Sequence, residues 1–347
     1  MAIAGIPTED DIMVTRREFL IAGGALLAAG CTGKSETPLD ASTTAESAAQ
    51  LHIKDAAAFK ILQFTDLHFF SPRERRVEAG QIPTLKIMDT LIEQTGPDLV
   101  MITGDVWPGN RGGDFASFMM RRAVRRLGHI GMPWAFTWGN HDMLADMNAG
   151  HKTLTGAPDS LYRGAATGGN YTIGVIDGAG ERAAELLCLN TTDIGMAQEQ
   201  RDWLAALPPA GVPRLAFFHI PLKQYADIWE NGVAEGIIGE DPCAEEEDGA
   251  SLACLKNAGV RACICGHDHV NDYEGVIDGV ELVYGRATGL GGYGREYVPK
   301  GGKLITLDCT QGTYTMRSVL PDGTSWTPKP GERIDHRRAR QEASASS

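Results

Sequence analysis

Five short blocks of polar residues in this sequence combine residue types that bind metal ions in proteins. Each block follows an apolar run typical of a buried β-strand, and together they contain five of the nine histidines. Because loops that follow neighbouring parallel strands meet at one edge of a sheet, the blocks predict a single ligand cluster. In chain order they are Asp66-Leu-His68, Gly104-Asp105, Gly139-Asn140-His141-Asp142, His219 and Gly266-His267-Asp268-His269.

The donor atoms in these blocks suit two divalent or trivalent metal ions, because such ions accept carboxylate oxygens, amide oxygens and imidazole nitrogens. The carboxylate of Asp105 has two oxygens, so it can bridge two ions. Asp66 and His68 are two residues apart, which predicts that both side chains point the same way from an extended segment. His267 and His269 have the same spacing and lead to the same expectation.

The order and spacing of the blocks resemble the calcineurin-like metallophosphoesterase superfamily, whose pattern reads D-x-H, G-D, G-N-H-[DE], H and G-H-x-H. The resemblance extends from Phe59 to Val319, most of the chain. Residues 59–66, 219–222 and 266–272 are similar to the branch related to purple acid phosphatases. The resemblance implies an α/β fold, a four-layer α/β/β/α sandwich of two mixed β-sheets flanked by helices.

The same resemblance implies which residues bind each metal ion. One metal ion is bound by Asp66, His68, Asp105 and His269, and the other by Asp105, Asn140, His219 and His267. A water between the ions loses its proton and attacks phosphorus, as in two-metal hydrolysis. His141 is not assigned as a ligand, and its position beside Asn140 predicts that it donates to the phosphoryl group or, as general acid, to the leaving oxygen. Asp142 either holds the His141 ring in the required tautomer or is a turn residue.

One position departs from the purple enzymes. They have an iron-binding tyrosine three residues after the aspartate of the G-D block, where this chain has Pro108. The coloured iron–tyrosinate bond is therefore not expected. The metal ions are Mn, Zn or Fe, and the ligand types alone do not choose among them.

The predicted activity is hydrolysis of phosphomonoesters, with a phosphorylated small molecule as substrate. A phosphodiesterase with the same centre is the first alternative, and a non-catalytic protein that binds metal or phosphate is the second. A net charge of −13 disfavours nucleic acid as a partner. Arg295, in the glycine-rich stretch 289–295, is a candidate for gripping a phosphate oxygen. A bare turn is the other interpretation of that stretch.

Residues 1–31 resemble an export signal of the twin-arginine type. Arg16-Arg17 and Phe19-Leu20 precede the apolar run Ile21–Ala29, which is too short to span a bilayer. Residues 27–31 resemble a lipoprotein cleavage box with Cys31 as the lipidated residue, and an ordinary signal peptide is the alternative. We therefore expect a periplasmic or cell-envelope protein. Its partners would include the export machinery and, through a lipid anchor, the membrane.

The segments between these features predict the domain organisation. Residues 56–320 form the metallophosphoesterase domain, 32–55 a flexible tether, and 321–347 a disordered tail. Cys243 and Cys254 flank an acidic loop, interpreted as solvated, and either pair after export or stay free. Strands are predicted at 60–65, 99–103, 134–138, 185–189, 214–218, 261–265, 281–284, 303–307 and 313–318, and helices at 83–95, 115–127 and 197–207.

Overall fold

Two mixed β-sheets pack face to face, and helices cover both outer surfaces. The computed structural model describes residues 48–70, 83–108, 113–192 and 194–337. All of these belong to one unit of the chain, Leu39–Ser347, and the other unit, Met1–Pro38, lies outside the described residues.

The smaller sheet contains six strands. They are β2 (Phe59–Phe64), β3 (Leu99–Thr103), β4 (Trp134–Thr137), β12 (Gly302–Asp308), β13 (Thr313–Val319) and β14 (Ser325–Trp326). Their order is β14-β13-β12-β2-β3-β4. β2, β3 and β4 are parallel to one another, and the remaining neighbours are antiparallel. The carboxyl ends of these three parallel strands therefore lie at one edge.

The larger sheet contains nine strands. They are β1 (Ala48–His52), β5 (Tyr171–Ile176), β6 (Arg182–Cys188), β7 (Arg214–Phe217), β8 (Glu235–Ile238), β9 (Val260–Cys265), β10 (Asp272–Ile277), β11 (Val280–Tyr284) and β15 (Arg333–Asp335). Their order is β1-β5-β6-β7-β9-β11-β10-β8-β15. The central strands β6, β7, β9 and β11 are parallel.

The helices form the two outer layers. They are α1 (Pro83–Thr95), α2 (Gly113–Leu127), α3 (Met147–Thr155), α4 (Gln198–Ala205), α5 (Gln224–Glu230) and α6 (Ser251–Asn257). Buried residues of α1–α3 join the core that contains the smaller sheet, and those of α4–α6 join a second core against the larger sheet. Within the described ranges, no helix is long and apolar enough to cross a membrane.

The central strands of the larger sheet are buried on both faces. Leu186 and Leu215 belong to the core shared with the smaller sheet, whereas their neighbours Leu187 and Ala216 pack beneath α4–α6. This is the two-residue period of a strand, in which successive side chains point to opposite faces. Burial on both faces explains why these strands appear in the sequence as nearly continuous apolar runs.

Two of the predicted boundaries are wrong. β1 lies inside the predicted tether 32–55 and pairs in parallel with β5. β14 and β15 lie inside the predicted disordered tail 321–347 and pair with β13 and β8. Each added strand forms hydrogen bonds with backbone N–H and C=O groups at a sheet edge. A polar segment has no apolar pattern that would indicate this pairing from the sequence. Residues 32–47 and 338–347 lie outside the described residues.

A buried charge cluster joins the two sheets. Asp272 on β10 accepts hydrogen bonds from Lys303 Nζ on β12 (2.5 Å) and Ser318 Oγ on β13 (2.5 Å). Arg286 Nε lies 2.6 Å from the same carboxylate. Burial raises the pKa of Asp272, but the charges of Arg286 and Lys303 and these hydrogen bonds outweigh it, so the pKa is lowered. The cluster therefore stabilises the fold while Asp272 is ionised.

Asp272→Asn is expected to lower the free energy of unfolding at pH 7 by about 3–5 kcal/mol, because it leaves buried cations without their carboxylate. A carboxylate whose pKa is lowered by folding contributes to the free energy of unfolding above its unfolded-state pKa of about 3.9, and this contribution is lost as pH falls. Denaturant unfolding at several pH values should therefore show the two proteins converging in acid. Asp278→Asn, at an exposed turn of the same hairpin, is the control. Equal stability of wild type and Asp272→Asn at pH 7 would contradict this account.

Candidate metal centre

The predicted ligands lie in loops at the carboxyl ends of strands from both sheets. Those of the smaller sheet follow β2, β3 and β4, and those of the larger sheet follow β7 and β9. Gln63 Nε2 on β2 donates to the backbone oxygen of Cys265 on β9 (3.0 Å), and Gly266 N donates to His219 O (3.0 Å). The first bond joins the edges of the two sheets, and the second ties the loops that follow β7 and β9. Residues far apart in sequence therefore meet.

The structure brings all seven predicted ligands together. Two groups of donor atoms each lie within 4.8 Å of one another, and both contain Asp105. The first group is Asp66, His68, Asp105 and His269, and the second is Asp105, His219 and His267. Asn140 joins the second group, because its Oδ1 lies 3.1 Å from Nε2 of His219. The division matches the two ligand sets that the resemblance implies.

The ring nitrogens converge at distances suited to shared cations. Nε2 of His68 lies 3.1 Å from Nε2 of His269, and Nδ1 of His267 lies 3.3 Å from Nε2 of His219. Donor atoms bound about 2.0–2.2 Å from one ion are separated by roughly 3 Å in octahedral and 3.3–3.6 Å in tetrahedral geometry. His219 Nδ1 lies 2.7 Å from the backbone oxygen of Thr103, a contact that turns Nε2 towards the centre.

The charges of the cluster also fit bound cations. Asp66 Oδ1 is buried without a hydrogen-bond partner among the described residues, although Nε2 of His269 is 3.2 Å away. Burial raises the pKa of Asp66, but His269 and His219 outweigh it, so the pKa is lowered and the group is ionised. Buried carboxylates require compensating positive charge. Metal ions would supply it, and these residues are suited to hold them.

The histidines differ in protonation. Burial, reinforced by the charge of His269, lowers the pKa of His68 to about 3. Burial and His219 lower the pKa of His267 to about 3 in the same way. Burial also opposes charge on His219, but the carboxylate of Asp105 outweighs it and raises that pKa to about 10. At neutral pH, the rings of His68 and His267 are therefore neutral and offer lone pairs. The raised pKa of His219 reflects the negative charge of Asp105 beside it, and a bound metal ion would take the place of the proton on Nε2.

The ligand-bearing backbone is not extended, which corrects the predicted geometry of the two paired blocks. The φ angles of Asp66, His68 and His267 are 55°, 43° and 78°, and that of Asp105 is 56°. Non-glycine residues seldom adopt this left-handed region, and such strain gathers at functional sites. The side chains converge because the chain turns sharply after each strand. Strand-like alternation does not place them.

Asp142 ties the loops together. Its carboxylate accepts backbone N–H bonds from Asp105 (2.7 Å), Val106 (2.8 Å), Trp107 (3.3 Å) and Gly139 (2.9 Å). Among the described residues, it makes no hydrogen bond to His141, so the expected role as tautomer holder is wrong. Four aligned amides bind a carboxylate more completely than one ring nitrogen does. Asp142 therefore positions the backbone that carries Asp105.

His141 lies beside the cluster with its side chain 38% exposed, whereas the side chains of Asp105 and His219 are almost completely buried. Its Nε2 is 3.9 Å from Oδ2 of Asp105, and its ring meets that of His68 edge-on at 5.0 Å. The backbone N–H of His141 donates to Oδ1 of Asp105 (2.8 Å). This ring can therefore face both the candidate centre and an incoming molecule.

The glycine-rich stretch covers the centre from one side. A Cβ on Gly292 would lie 2.4 Å from the His269 ring, and one on Gly289 would lie 2.2 Å from the backbone oxygen of Asp66. These glycines let the stretch approach the ligand loops. Arg295 is exposed and makes no hydrogen bond or ion pair with other described residues, so its role towards phosphate stays a prediction.

Three residues that support the ligand His269 were not predicted from the sequence. Tyr293 stacks on His269 at a centroid distance of 4.2 Å, and its hydroxyl donates to Glu240 (2.7 Å). Lys300 Nζ donates to the backbone oxygen of Tyr293 (2.7 Å). The clustered glycines around Tyr293 were the only sequence signal, since they predict a close backbone approach without naming its target.

The two cysteines that flank the acidic loop are free thiols in the structure. Cys254 lines a cavity of about 1000 Å³ together with residues at the amino ends of β7 and β9. Cys243 instead lies near His267, beyond the carboxyl end of β9. Of the two alternatives, pairing or free thiols, the structure agrees with free thiols. The solvated-loop interpretation is also wrong for Glu247, which is only 1% exposed.

Iron loading is expected to leave concentrated protein without a visible tyrosinate charge-transfer band. Pro108 occupies the predicted tyrosine position, and the nearby Tyr293 hydroxyl is engaged with Glu240 rather than aimed at the ligands. Absorption spectra before and after iron loading test this. Tyr293→Phe is the control, and a visible band that this variant abolishes would show that Tyr293 binds the iron after all.

Comparison with known proteins agrees with this site. Residues 59–271 match the family model described as calcineurin-like phosphoesterase, and the chain belongs to this family of metallophosphoesterases. Among its relatives are purple acid phosphatase-like proteins. An Arabidopsis thaliana protein named probable inactive purple acid phosphatase 28 is 25% identical over 318 residues, which cover 78% of this chain and 80% of that protein.

Fungal relatives are longer. Phosphatase DCR2 of Saccharomyces cerevisiae is 24% identical over 272 residues, covering 65% of this chain and 46% of that protein, so this chain spans about half its length.

Solved structures with a similar arrangement include two phosphatases. A purple acid phosphatase from yellow lupin (Lupinus luteus) seeds has a TM-score of 0.47 at 12% identity. That match covers 81% of this chain and 54% of the lupin chain. A dimetal phosphatase from Danio rerio has a TM-score of 0.45 at 13% identity, covering 72% and 95%.

Proposed function

We propose that this protein is a binuclear metal-dependent phosphatase that hydrolyses phosphomonoesters. The observation that carries the proposal is the convergence of seven ligand side chains into two groups that share Asp105. Two metal ions bound there would activate water and clamp the attacking and leaving oxygens of an in-line displacement.

The residues of this chain would then divide the remaining work. Asp66 and Asp105 supply negative charge, and the neutral rings of His68 and His267 supply lone pairs. His141 is the most exposed ring of the cluster and would donate a proton to the leaving oxygen. Asp142 keeps the Asp105 loop in place through backbone hydrogen bonds.

Two alternatives remain distinct from this proposal. A phosphodiesterase would use the same centre on a diester. A non-catalytic protein would bind metal or phosphate without turnover, and the names of the Arabidopsis relatives give that alternative some support. Against it, this chain retains every ligand of both donor groups and also has His141 beside them.

Turnover of an aryl phosphate and a bis-aryl phosphate, with and without added Mn²⁺, distinguishes the proposed phosphatase from the two alternatives. Faster metal-dependent hydrolysis of the monoester supports the phosphatase. Faster hydrolysis of the diester supports the phosphodiesterase. Metal binding without turnover of either substrate supports the non-catalytic protein. The same preparation of an Asp105→Asn variant controls for contaminating phosphatases.

We further propose that the protein is exported to the periplasm or cell envelope and held there by a lipid on Cys31. This rests on the sequence of residues 1–31, which lie outside the described residues. Joint replacement of Arg16 and Arg17 by lysine should trap precursor in the cytoplasm, and Cys31→Ala should abolish lipid labelling. Normal export of the double-lysine variant would exclude the twin-arginine route, and unlabelled wild-type protein would exclude the anchor.

A further inference from the structure

The acidic loop 240–248 is anchored against the candidate centre. The backbone N–H of Cys243 donates to Oδ2 of Asp268 (3.2 Å), the residue between His267 and His269. On the other side of Glu245, the buried carboxylate of Glu247 accepts backbone N–H bonds from Lys223 (3.0 Å) and Ser251 (3.3 Å). Both flanks of Glu245 are therefore held in place, and the loop presents its side chains at a defined position.

Three different ligand types meet at this loop. Sγ of Cys243, a carboxylate oxygen of Glu245 and a ring nitrogen of His267 all lie within 4.8 Å of one another. The Cys243 thiol donates to Oε1 of Glu245 at 3.5 Å, and Nε2 of His267 is 3.9 Å from the same oxygen. Zinc bonds of about 2.3 Å to sulfur and roughly 2.0–2.2 Å to nitrogen and oxygen separate tetrahedral donors by about 3.4–3.6 Å. The sulfur–oxygen distance already fits, and the nitrogen–oxygen distance needs a shift of about 0.5 Å.

His267 faces this group and the candidate centre with opposite nitrogens. Its Nδ1 lies 3.3 Å from Nε2 of His219, whereas its Nε2 lies near Glu245. A neutral imidazole has one lone pair, carried by one of its two nitrogens. A cation bound at Nε2 therefore competes with a cation bound at Nδ1.

From this geometry we propose that Cys243, Glu245 and His267 form a third metal site, which takes a thiophilic divalent cation such as Zn²⁺ or Cd²⁺ and inhibits the enzyme. A thiolate ligand favours such cations over Mg²⁺ or Mn²⁺. When the cation binds, the thiol proton leaves to solvent and the metal replaces it beside Glu245. Cys243 is exposed, so the cation reaches it without opening the fold. The inhibition rests on the proposed phosphatase function, whereas the binding does not.

Cd²⁺ titration of the metal-loaded full chain tests the binding. Wild type should bind one Cd²⁺ more per chain than Cys243→Ser and should show an ultraviolet thiolate–cadmium band that this variant lacks. Cys254→Ser is the matched control, because that half-buried thiol lies on α6 near the opposite ends of the strands. It should keep the band. An unchanged band in Cys243→Ser would overturn the site.

Inhibition is measured as each variant's rate relative to its own rate without Cd²⁺. The half-inhibitory concentration should rise about 10–100-fold in Cys243→Ser and in Glu245→Gln, and not in Cys254→Ser. Equal inhibition of all four proteins would overturn the inhibitory role. If no substrate is turned over, the phosphatase proposal fails on its own, and the Cd²⁺ band still decides whether the site binds.

Discussion

Asp105→Asn is expected to reduce phosphatase activity by at least about 100-fold, the upper end of the loss seen when residues behind metal ligands are changed. Asp105 is the residue that both donor groups share, with Oδ1 3.3 Å from Nε2 of His219 and Oδ2 3.7 Å from Nε2 of His68. Asparagine has one oxygen and no charge, so it cannot bridge two ions. Metal analysis should show a fall from about two ions per chain to one or fewer.

Asparagine is chosen because it retains an oxygen that can accept the backbone N–H of His141. The loop should therefore keep its shape, which circular dichroism and unfolding curves would verify. Asp89→Asn, an exposed position on α1, is the control and should keep activity and metal content. Two bound ions and full activity in Asp105→Asn would remove the bridging role from this residue.

His141→Ala is expected to keep both metal ions and to lose about 10²–10⁴-fold in rate, the usual contribution of a general acid. The ring is the most exposed of the cluster and lies outside both donor groups. The loss should shrink for substrates whose leaving groups are acidic, because those need little protonation. Rates for a series of aryl phosphates with different leaving-group pKa values measure this dependence.

His52→Ala changes an exposed histidine on the edge strand β1 and should leave the rate unchanged. A His141→Ala protein that loses metal would identify His141 as a ligand. A rate loss that is equal for all leaving groups would instead assign it to binding the phosphoryl group.

The central strands and the first helices were predictable because their apolar patterns are strong. β3 and α1 match the predicted bounds, and β2 differs by one residue at each end. The edge strands β1, β14 and β15 were not predictable, since a short polar segment becomes a strand only when a sheet edge is present to pair with it. The buried cluster around Asp272 was not predictable either, because the residues that contact Asp272 come from separate parts of the chain.

The residues that could bind metal, and their order along the chain, were predictable from local patterns, because each block follows a strongly apolar strand and carries its own turn residues. How these residues meet depends on the packing of the folded chain. His68 and His269 are 201 residues apart, and the packing of two sheets brings their nitrogens to 3.1 Å. The same packing assigned Asp142 to the backbone of the Asp105 loop and placed Cys243 and Glu245 beside His267. Local sequence sets strands and turns, whereas contacts between distant loops depend on sheet register and edge pairing.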